Sequence, residues 1–448
     1  MRGFQIAQSS SETLTSHSGL ALIGQALKRL TDFVKDVKTI PQRHGIATID
    51  CIRGYIGLLC IGKSDFDAIE NKRADTFFRA ALGLEKVPSA PSLRQRFDSQ
   101  ADVLIPMLDN ASNEFLEKIK VPITPISVSP WIKHVAVDID VYPMDNSGSK
   151  KEGVSYTYKG HDGYAPIAAY LGNEGWCLAC ELRAGSQHGQ KEFIHLLERV
   201  ISRARNLTDS PLLVRLDSGH DAAENRAWLA TQGVDFLIKW NPRRQDLGAW
   251  LKRAEETKTT KWTVPREGKR VGVFSETVEE TFNGEQRHFR RVIRIIERTI
   301  DKKGLLLLVP EIVLEGWWIS LWTVDCSNQC VIDIYKDHAT SEQFHSEFKT
   351  DLDIERLPSG KFATNDLVMS HAVLAYNILR WIGLTGLVGE ISPVRHPAKR
   401  RRLRTVMQEL IYLAAHVVES GRRLALKFSK QCPGFPSFEA VHKKLTAD

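Results

Sequence analysis

The sequence predicts an α/β fold in which helices flank a mixed sheet, and three observations lead to this fold class. Residues His134–Tyr142 (HVAVDIDVY) alternate valine and isoleucine with other side chains, which is the period of a strand. The segment PLLVRLDSG is a short apolar run that ends in Asp217 and a turn. The helical pattern AAENRAWLATQG leads directly into the strand-like DFLIKW. Strands that alternate with helices in this way indicate a layer with parallel strands in its middle.

Similar patterns divide the whole chain into successive parts. The first part is mostly helical and basic, and the proline-rich KVPITPISVSPW links it to the strands that follow. Further along, β-branched runs separated by turn signals such as Asn283-Gly284 predict a β-rich insertion. The predicted parts are a helical N-terminal module, the first part of the core, the β-rich insertion, the second part of the core and a basic helical C-terminal region, at residues 1–125, 130–240, 241–330, 331–390 and 391–448.

The composition is that of a globular protein and permits a polyanionic partner. The chain has 448 residues, 42% of them hydrophobic and 26% charged, with a formal net charge of +7. Apolar runs such as Leu305–Pro310 are far shorter than the roughly 20 residues that span a bilayer. The first residues lack the apolar segment of a secretory signal. We therefore expect a cytoplasmic protein with no membrane partner.

Seven cysteines, an odd number, do not form a disulfide framework and suit a reducing compartment. Two close pairs, Cys177 with Cys180 and Cys326 with Cys330, could together supply four zinc ligands. Against this, residues 176–182 have strand character, and side chains three apart on a strand point to opposite faces. The pattern favours packed thiols over a zinc site.

Carboxylates cluster where the predicted strands end. Asp138 and Asp140 share one face of the first core strand, and Asp217 closes a later strand. If Glu342 comes from a helix beside that edge, three carboxylates converge, and divalent metal is the usual means of neutralising them. Oxygen ligands select Mg²⁺ or Mn²⁺, and two such ions roughly 4 Å apart suit displacement at phosphorus. The alternative is that Asp217 is a turn residue and the other two lie on a solvated strand face.

A polar stripe marks the segment YKDHATSEQFHSEFK, which begins at Tyr335. Its ionisable side chains recur at steps of three and four, so on a helix they share one face: Tyr335, His338, Glu342, His345 and Lys349. Such a stripe is normally apolar, because it faces a core. The pattern indicates either a wet surface or a site whose chemistry needs these groups side by side.

Three blocks of this sequence resemble bacterial insertion-sequence transposases with a DDE catalytic core. The blocks are VAVDIDVYPMDN, LLVRLDSGHD and Y-x2-H-x3-E-x6-K, and the last is similar to the Y-R-E-K signature of that family. The resemblance covers residues 130–385 and implies an RNase H-like mixed sheet. It also implies that Asp140, Asp217 and Glu342 are the catalytic acids that bind two Mg²⁺ or Mn²⁺ ions. Asp138 is the alternative first acid, and Asp140 is preferred because the family's first acid lies at the end of its strand.

The resemblance further implies which side chains contact DNA. Tyr335 and Lys349 would hold phosphates near the cleaved bond. His338 stands where the family has arginine, and a neutral imidazole is a weaker phosphate clamp than a guanidinium. DNA contact there is expected to be weaker or pH-dependent.

Two further groups of residues are candidates for DNA contact. Tryptophans of the insertion could stack on an unpaired base, although packing is the alternative: Trp317, Trp318 and Trp322. Basic residues within RHPAKRRRLR (395–404) could contact phosphates, although a solvated helix start is the alternative: Arg400, Arg401 and Arg402. With the N-terminal module, this basic cluster is the candidate for DNA binding outside the active site.

The sequence thus predicts a transposase that cleaves the ends of its element and joins the freed 3′ hydroxyl to a second phosphodiester. Its partners would be double-stranded DNA, as terminal inverted repeats and as target, and a second copy of itself in a homodimer on DNA. In the cell it would associate with the bacterial nucleoid when bound. Two alternatives remain open: a catalytically inactive DNA-binding protein, which His338 motivates, and a metal-dependent nuclease without strand transfer.

Overall fold

The N-terminal part of the chain is a group of helices packed on one another. The computed structural model describes residues 6, 8–9, 11–41, 45–421 and 423–447. After strand β1 (Thr13–Thr15), the helices are α1 (Leu20–Leu30), α2 (Phe33–Val37), α3 (Thr48–Cys60), α4 (Thr76–Leu82) and α5 (Ala90–Lys118). Helix α5 begins where the Ser89 side chain accepts the Ser92 N–H, with Pro91 in the first turn. The proline and serine residues of this break therefore start the longest helix of the group.

A large mixed sheet forms the centre of the protein. The elements that follow α5 are β2 (Ile126–Ser127), β3 (Lys133–Val141), β4 (Met144–Asp145), β5 (Ser155–Tyr156), β6 (Asp162–Tyr164), β7 (Ile167–Leu171), β8 (Trp176–Glu181), α6 (Phe193–Leu207), β9 (Leu212–Leu216), α7 (Ala223–Thr231) and β10 (Asp235–Lys239). Strands β4, β5 and β6 form a separate three-stranded sheet. Strands β3, β9 and β10 pair in parallel, and β7 and β8 follow β3 as antiparallel neighbours. The predicted mixed sheet with parallel strands in its middle is confirmed.

The residues that follow β10 extend this sheet. Their elements are α8 (Leu247–Glu256), β11 (Lys261–Arg266), β12 (Lys269–Phe282), β13 (Glu285–Ile300) and β14 (Leu306–Ile319). Asn283 and Gly284 both have positive φ and join β12 to β13 in a two-residue hairpin, as their sequence indicates. Strand β14 pairs with β10, giving the order β11-β12-β13-β14-β10-β9-β3-β7-β8. The β-rich segment is therefore continuous with the core sheet through backbone hydrogen bonds.

Two helices and two short irregular turns bring the chain back to the core. They are α9 (Asn328–Asp337), a 3₁₀ turn (His338–Thr340), α10 (Ser341–Ser346) and a π turn (Glu347–Asp351). The stripe from Tyr335 to Lys349 therefore does not lie on one regular helix. Sequence periodicity does not separate α, 3₁₀ and π turns, because all three have right-handed helical backbone angles.

Helix α11 (Phe362–Gly386) is the central helix of the protein and packs on α5 and β8. It is long and apolar enough to cross a membrane, but 94% of its apolar window is buried inside the protein. This burial explains why helix α11 is apolar on all its sides. Asn377 in this helix accepts from the Cys177 N–H at 3.0 Å and donates to the Cys177 carbonyl at 2.9 Å, which satisfies the backbone of strand β8.

The last residues contain strands as well as helices. They form α12 (Leu403–Val406), β15 (Ala415–Ser420), β16 (Arg423–Lys427) and α13 (Phe435–Thr446). Residues 391–448 were predicted to be helical, and the β15–β16 hairpin is a difference from that prediction. Strand β15 pairs with β1, although the two strands are about 400 residues apart in the sequence. A pairing between the two ends of the chain leaves no local pattern.

The cysteine pairs lie in separate clusters of buried residues. Cys177 belongs to the main hydrophobic core, and Cys326 belongs to a smaller cluster around Trp317. All the cysteines are free thiols. Thiols in such buried clusters are packed side chains, as the sequence pattern favours.

Candidate active site

Asp140, Asp217 and Glu342 line one cavity of about 510 Å³. Asp140 lies near the end of β3, and Asp217 directly follows β9. Because β3 and β9 are parallel neighbours, with Ile139 opposite Leu216, the residues at their carboxyl ends meet at the same edge. Glu342 reaches the cavity from the first turn of α10. The three acids predicted from the sequence are therefore brought together by three separate elements.

The electrostatics of Asp140 reflect its two acidic neighbours. Burial and the charge of Asp217 raise the pKa of Asp140 to about 7, with a smaller contribution from Glu342. His338 and the Val141 N–H oppose this shift and lower the pKa of the same carboxyl. Asp140 is therefore poised to gain or lose a proton near neutral pH, and a bound cation would favour its charged form.

Asp217 is held in place by its own turn. Burial raises its pKa, but hydrogen bonding to His220 and the charges of His220 and His338 outweigh burial, so the pKa is lowered. The His220 Nδ1 donates to Asp217 Oδ1 at 2.8 Å, and the Gly219 N–H donates to the same oxygen at 3.1 Å. The sequence analysis missed His220. Its signal was the histidine three residues after the acid in LDSGHD, a spacing that puts both side chains on one side of a helical turn.

Asp138 has different surroundings from Asp140. Its carboxylate is buried and accepts two hydrogen bonds from Arg215 and one from His338 Nδ1, each 2.7 Å long. Burial alone would raise its pKa, but Arg215 and His338 hold the pKa at about 2. Asp138 is thus a buried, charged partner of Arg215 and His338. Of the two candidates for the first acid, Asp140 is the one that lines the cavity.

The predicted DNA contacts near the acids lie at two adjoining cavities. Tyr335 and His338 line the cavity of the three acids. Lys349 lines a neighbouring cavity of about 610 Å³, which also contains Asp140 and Glu342. The Lys349 Nζ donates to the Pro143 carbonyl at 3.0 Å and lies 3.1 Å from Glu355. The lysine is therefore positioned beside the acids by contacts within the protein.

His345, to which the sequence analysis gave no role, also lies beside Asp140. Its Nδ1 is 3.9 Å from Asp140 Oδ2, and its ring stacks on Tyr142 with centroids 4.3 Å apart. Burial lowers the pKa of His345 to about 3, so the ring is neutral. It contributes packing rather than charge to this wall.

The tryptophans of the insertion differ in exposure. Trp317 lines the acid cavity but is buried, with Lys239 Nζ 4.5 Å from its ring centroid. Trp318 is buried under Arg226, whose guanidinium lies 4.2 Å from the ring centroid. Trp322 is 47% exposed. Cations lie over the faces of the first two rings. For Trp317 and Trp318 this arrangement favours packing within the protein, which was the alternative to stacking on a base.

The three predicted arginines of the basic cluster do not line the cavity of the three acids. Arg400 pairs with Glu347 at 2.6 Å and Arg402 with Asp351 at 2.8 Å. Arg401 donates to the Leu387 carbonyl at 2.9 Å. Arg400 and Arg402 line another cavity, of about 620 Å³. The guanidiniums of Arg400 and Arg402 connect the last part of the chain to the π turn after α10, which contains Glu347 and Asp351.

The chemistry of the three acids fits a hard divalent cation. All the donors are carboxylate oxygens, and burial together with the charges of Asp217 and Glu342 raises the pKa of Asp140. Among the residues that the structure describes, no three His, Cys, Asp or Glu side chains already converge as a complete ligand set.

No curated protein sequence matches this chain. Among solved structures it is similar to a piggyBac transposase in a synaptic complex with hairpin DNA, at 9% identity and a TM-score of 0.40, covering 96% of this chain and 81% of that one. The family model described as Transposase DDE domain group 1 matches residues 6–447. Since this match spans nearly the whole chain, the protein belongs to the DDE transposase family, group 1.

Proposed function

We propose that this protein is the transposase of an insertion sequence, which cleaves DNA at the ends of its element and transfers the freed strand. The observation that carries the proposal is the meeting of Asp140, Asp217 and Glu342 at one cavity. Family membership supports the reaction class. The strand order β8-β7-β3-β9-β10, an antiparallel group followed by parallel strands, supports the RNase H-like arrangement expected from the sequence.

The three acids would hold two Mg²⁺ or Mn²⁺ ions, with Asp140 rather than Asp138 as the first acid. When bound, two such ions supply activation of the attacking oxygen and stabilisation of the leaving oxygen at phosphorus. The contribution of the chain is to position the ligands. His220 and the Gly219 N–H fix the orientation of Asp217.

The DNA end would lie across the two adjoining cavities. Tyr335, His338 and Lys349 would contact phosphates beside the cleaved bond, and their place along these cavities supports that role. Arg400, Arg401 and Arg402 would contact DNA further from the acids, together with the helical N-terminal module. The proposed partners are terminal inverted repeats and target DNA, held by a homodimer. Two copies are needed because two element ends must be joined.

Nicking of element-end DNA tests the proposal. Wild-type protein and Glu342→Gln are incubated with a labelled duplex that carries the terminal inverted repeat, in Mg²⁺ and in EDTA. We expect wild type to nick the repeat end in Mg²⁺ and not in EDTA. We expect Glu342→Gln not to nick it, because Gln supplies a neutral and weaker metal ligand. Equal nicking by both proteins would overturn the assignment of the acids. Asp162→Asn, which changes an exposed carboxylate on β6, is the matched control.

The same assay separates the two alternatives. Nicked product without joined product at any target would identify a nuclease. Specific binding of the repeat without nicking in Mg²⁺ or Mn²⁺ would identify an inactive DNA-binding protein.

A further inference from the structure

An exposed aromatic side chain stands at the junction of the two cavities beside the acids. Tyr158 lies in the turn between β5 and β6 and is 65% exposed. It lines both the cavity of the three acids and the neighbouring cavity of Lys349. Asp140 and Glu342 line both cavities as well. A DNA strand that passes the acids through these cavities must therefore pass the Tyr158 ring.

The Tyr158 ring is held in position although it is exposed. Its hydroxyl donates to the Val141 carbonyl at 2.9 Å, and Val141 directly follows Asp140. The turn is closed by Thr157, which donates to the His161 carbonyl from its N–H at 2.9 Å and from its hydroxyl at 2.8 Å. A ring already fixed at its hydroxyl end loses little conformational freedom when a ligand binds.

The other aromatic rings of these cavities are less available. Tyr142 and Trp317 are buried, and Tyr335 is half-buried. Tyr158 instead is 65% exposed, although Lys159 Nζ lies over its ring, 5.6 Å from the centroid. An exposed aromatic face beside a cation is the combination with which proteins bind unpaired nucleotides, by stacking on the base and contacting the phosphate.

We propose that Tyr158 is a stacking site for one unpaired nucleobase next to the cleaved phosphodiester, with Lys159 contacting an adjacent phosphate. This inference rests on the proposed function, since it requires DNA at the acids. The hydroxyl anchor on the residue after Asp140 places the ring one residue from a metal-binding acid, so the base is a close neighbour of the cut. A base in a duplex is covered by its neighbours, so it must leave the stack to meet the ring.

Pairing a protein variant with a DNA variant tests the contact. Tyr158→Leu is compared with the unaltered Tyr158 in a Glu342→Gln background, which is designed to keep the DNA uncut. The DNA is the element-end duplex, intact or with one abasic nucleotide at each of three positions on either side of the cut. We expect Tyr158→Leu to weaken binding of intact DNA about tenfold. At one abasic position the two proteins should bind equally, because the base that the ring would contact is missing.

Three controls separate a stacking role from a structural one. Tyr158→Phe loses the Val141 hydrogen bond but keeps the ring, and should bind within a few-fold of the unaltered protein. Tyr156→Leu removes a neighbouring ring that is 67% exposed and lines neither cavity, and should change nothing. Thermal unfolding of each variant checks that the fold is intact.

The outcomes also separate this inference from the proposed function. An equal loss of affinity with every DNA, or no loss in Tyr158→Leu, overturns the stacking site. Nicking by the enzyme with intact Glu342 is measured in parallel. If that enzyme nicks DNA and the loss does not depend on any one base, only the stacking site fails. If no DNA is bound or nicked, the proposed function fails with it.

Discussion

His338 Nδ1 donates a hydrogen bond of 2.7 Å to the Oδ1 of Asp138, which ties the cavity wall to a buried carboxylate. In parallel strands β3 and β9, Asp138 lies opposite Arg215, which donates two more hydrogen bonds to it. His338 is therefore not a free side chain at the cavity that it lines. It is one member of a buried network, and this changes what its substitution should do.

Asp138→Asn should strongly destabilise the protein. The amide keeps the shape of the side chain but leaves the buried Arg215 guanidinium without its counter-charge. We expect the free energy of unfolding to fall by about 3–5 kcal/mol. Urea unfolding in EDTA measures it, and Asp333→Asn, which removes an exposed pair with Lys336, should cost under about 1 kcal/mol. A similar small cost for both variants would contradict this account.

His338→Arg should not improve the enzyme. His338 is buried here between Asp138 and the Tyr335 ring, whose centroid is 5.5 Å away, so the longer arginine must displace these neighbours or extend into the cavity that His338 lines. We expect the free energy of unfolding to fall by about 1–3 kcal/mol and nicking to be no faster than in wild type. His338→Asn, which keeps a donor for Asp138, should retain more stability than His338→Leu. Faster nicking by His338→Arg would show that histidine is only a weaker clamp.

Asp140→Asn should stabilise the metal-free protein in a pH-dependent way. Because the pKa of Asp140 is raised to about 7 in the folded state, the folded state binds this proton more tightly than the unfolded state. The contribution of Asp140 to stability therefore falls as pH rises from about 4 to about 7, and asparagine removes that contribution. We expect a gain of about 2–4 kcal/mol at pH 8 and little gain at pH 4.5 in urea unfolding with EDTA.

The control for that experiment is Asp209→Asn, which changes an exposed carboxylate just before the opposite end of strand β9. Its effect should be small and the same at both pH values. A gain for Asp140→Asn that is equal at pH 4.5 and pH 8 would show that Asp140 is not the group that titrates.

His220→Ala should weaken metal binding without touching a proposed ligand. The alanine variant leaves Asp217 without the hydrogen bond that orients its carboxylate. Loss of such a partner typically costs 10- to 100-fold in metal affinity. Titration calorimetry with Mn²⁺ in the presence of element-end DNA measures the change. His195→Ala removes an exposed histidine from α6 and should leave the affinity unaltered. Equal affinities in both variants would remove His220 from the site.

Local patterns in the sequence determined much of this protein. The alternation in His134–Tyr142 predicted strand β3, and Asn283-Gly284 predicted the β12–β13 turn. The resemblance of three sequence blocks to a transposase family implied Asp140, Asp217 and Glu342 as one set of acids, and the three line one cavity. These features are readable because a strand of period two and a two-residue turn depend on neighbouring residues alone.

Only the tertiary structure decided between residues with the same local pattern. Asp138 and Asp140 share a strand face, but register with Arg215 turns the first into a buried ion pair and leaves the second at the cavity. The same is true of β15, which pairs with β1 from the other end of the chain. Such choices follow from hydrogen bonds and burial between residues far apart in sequence, whose partners are set only when the chain has folded.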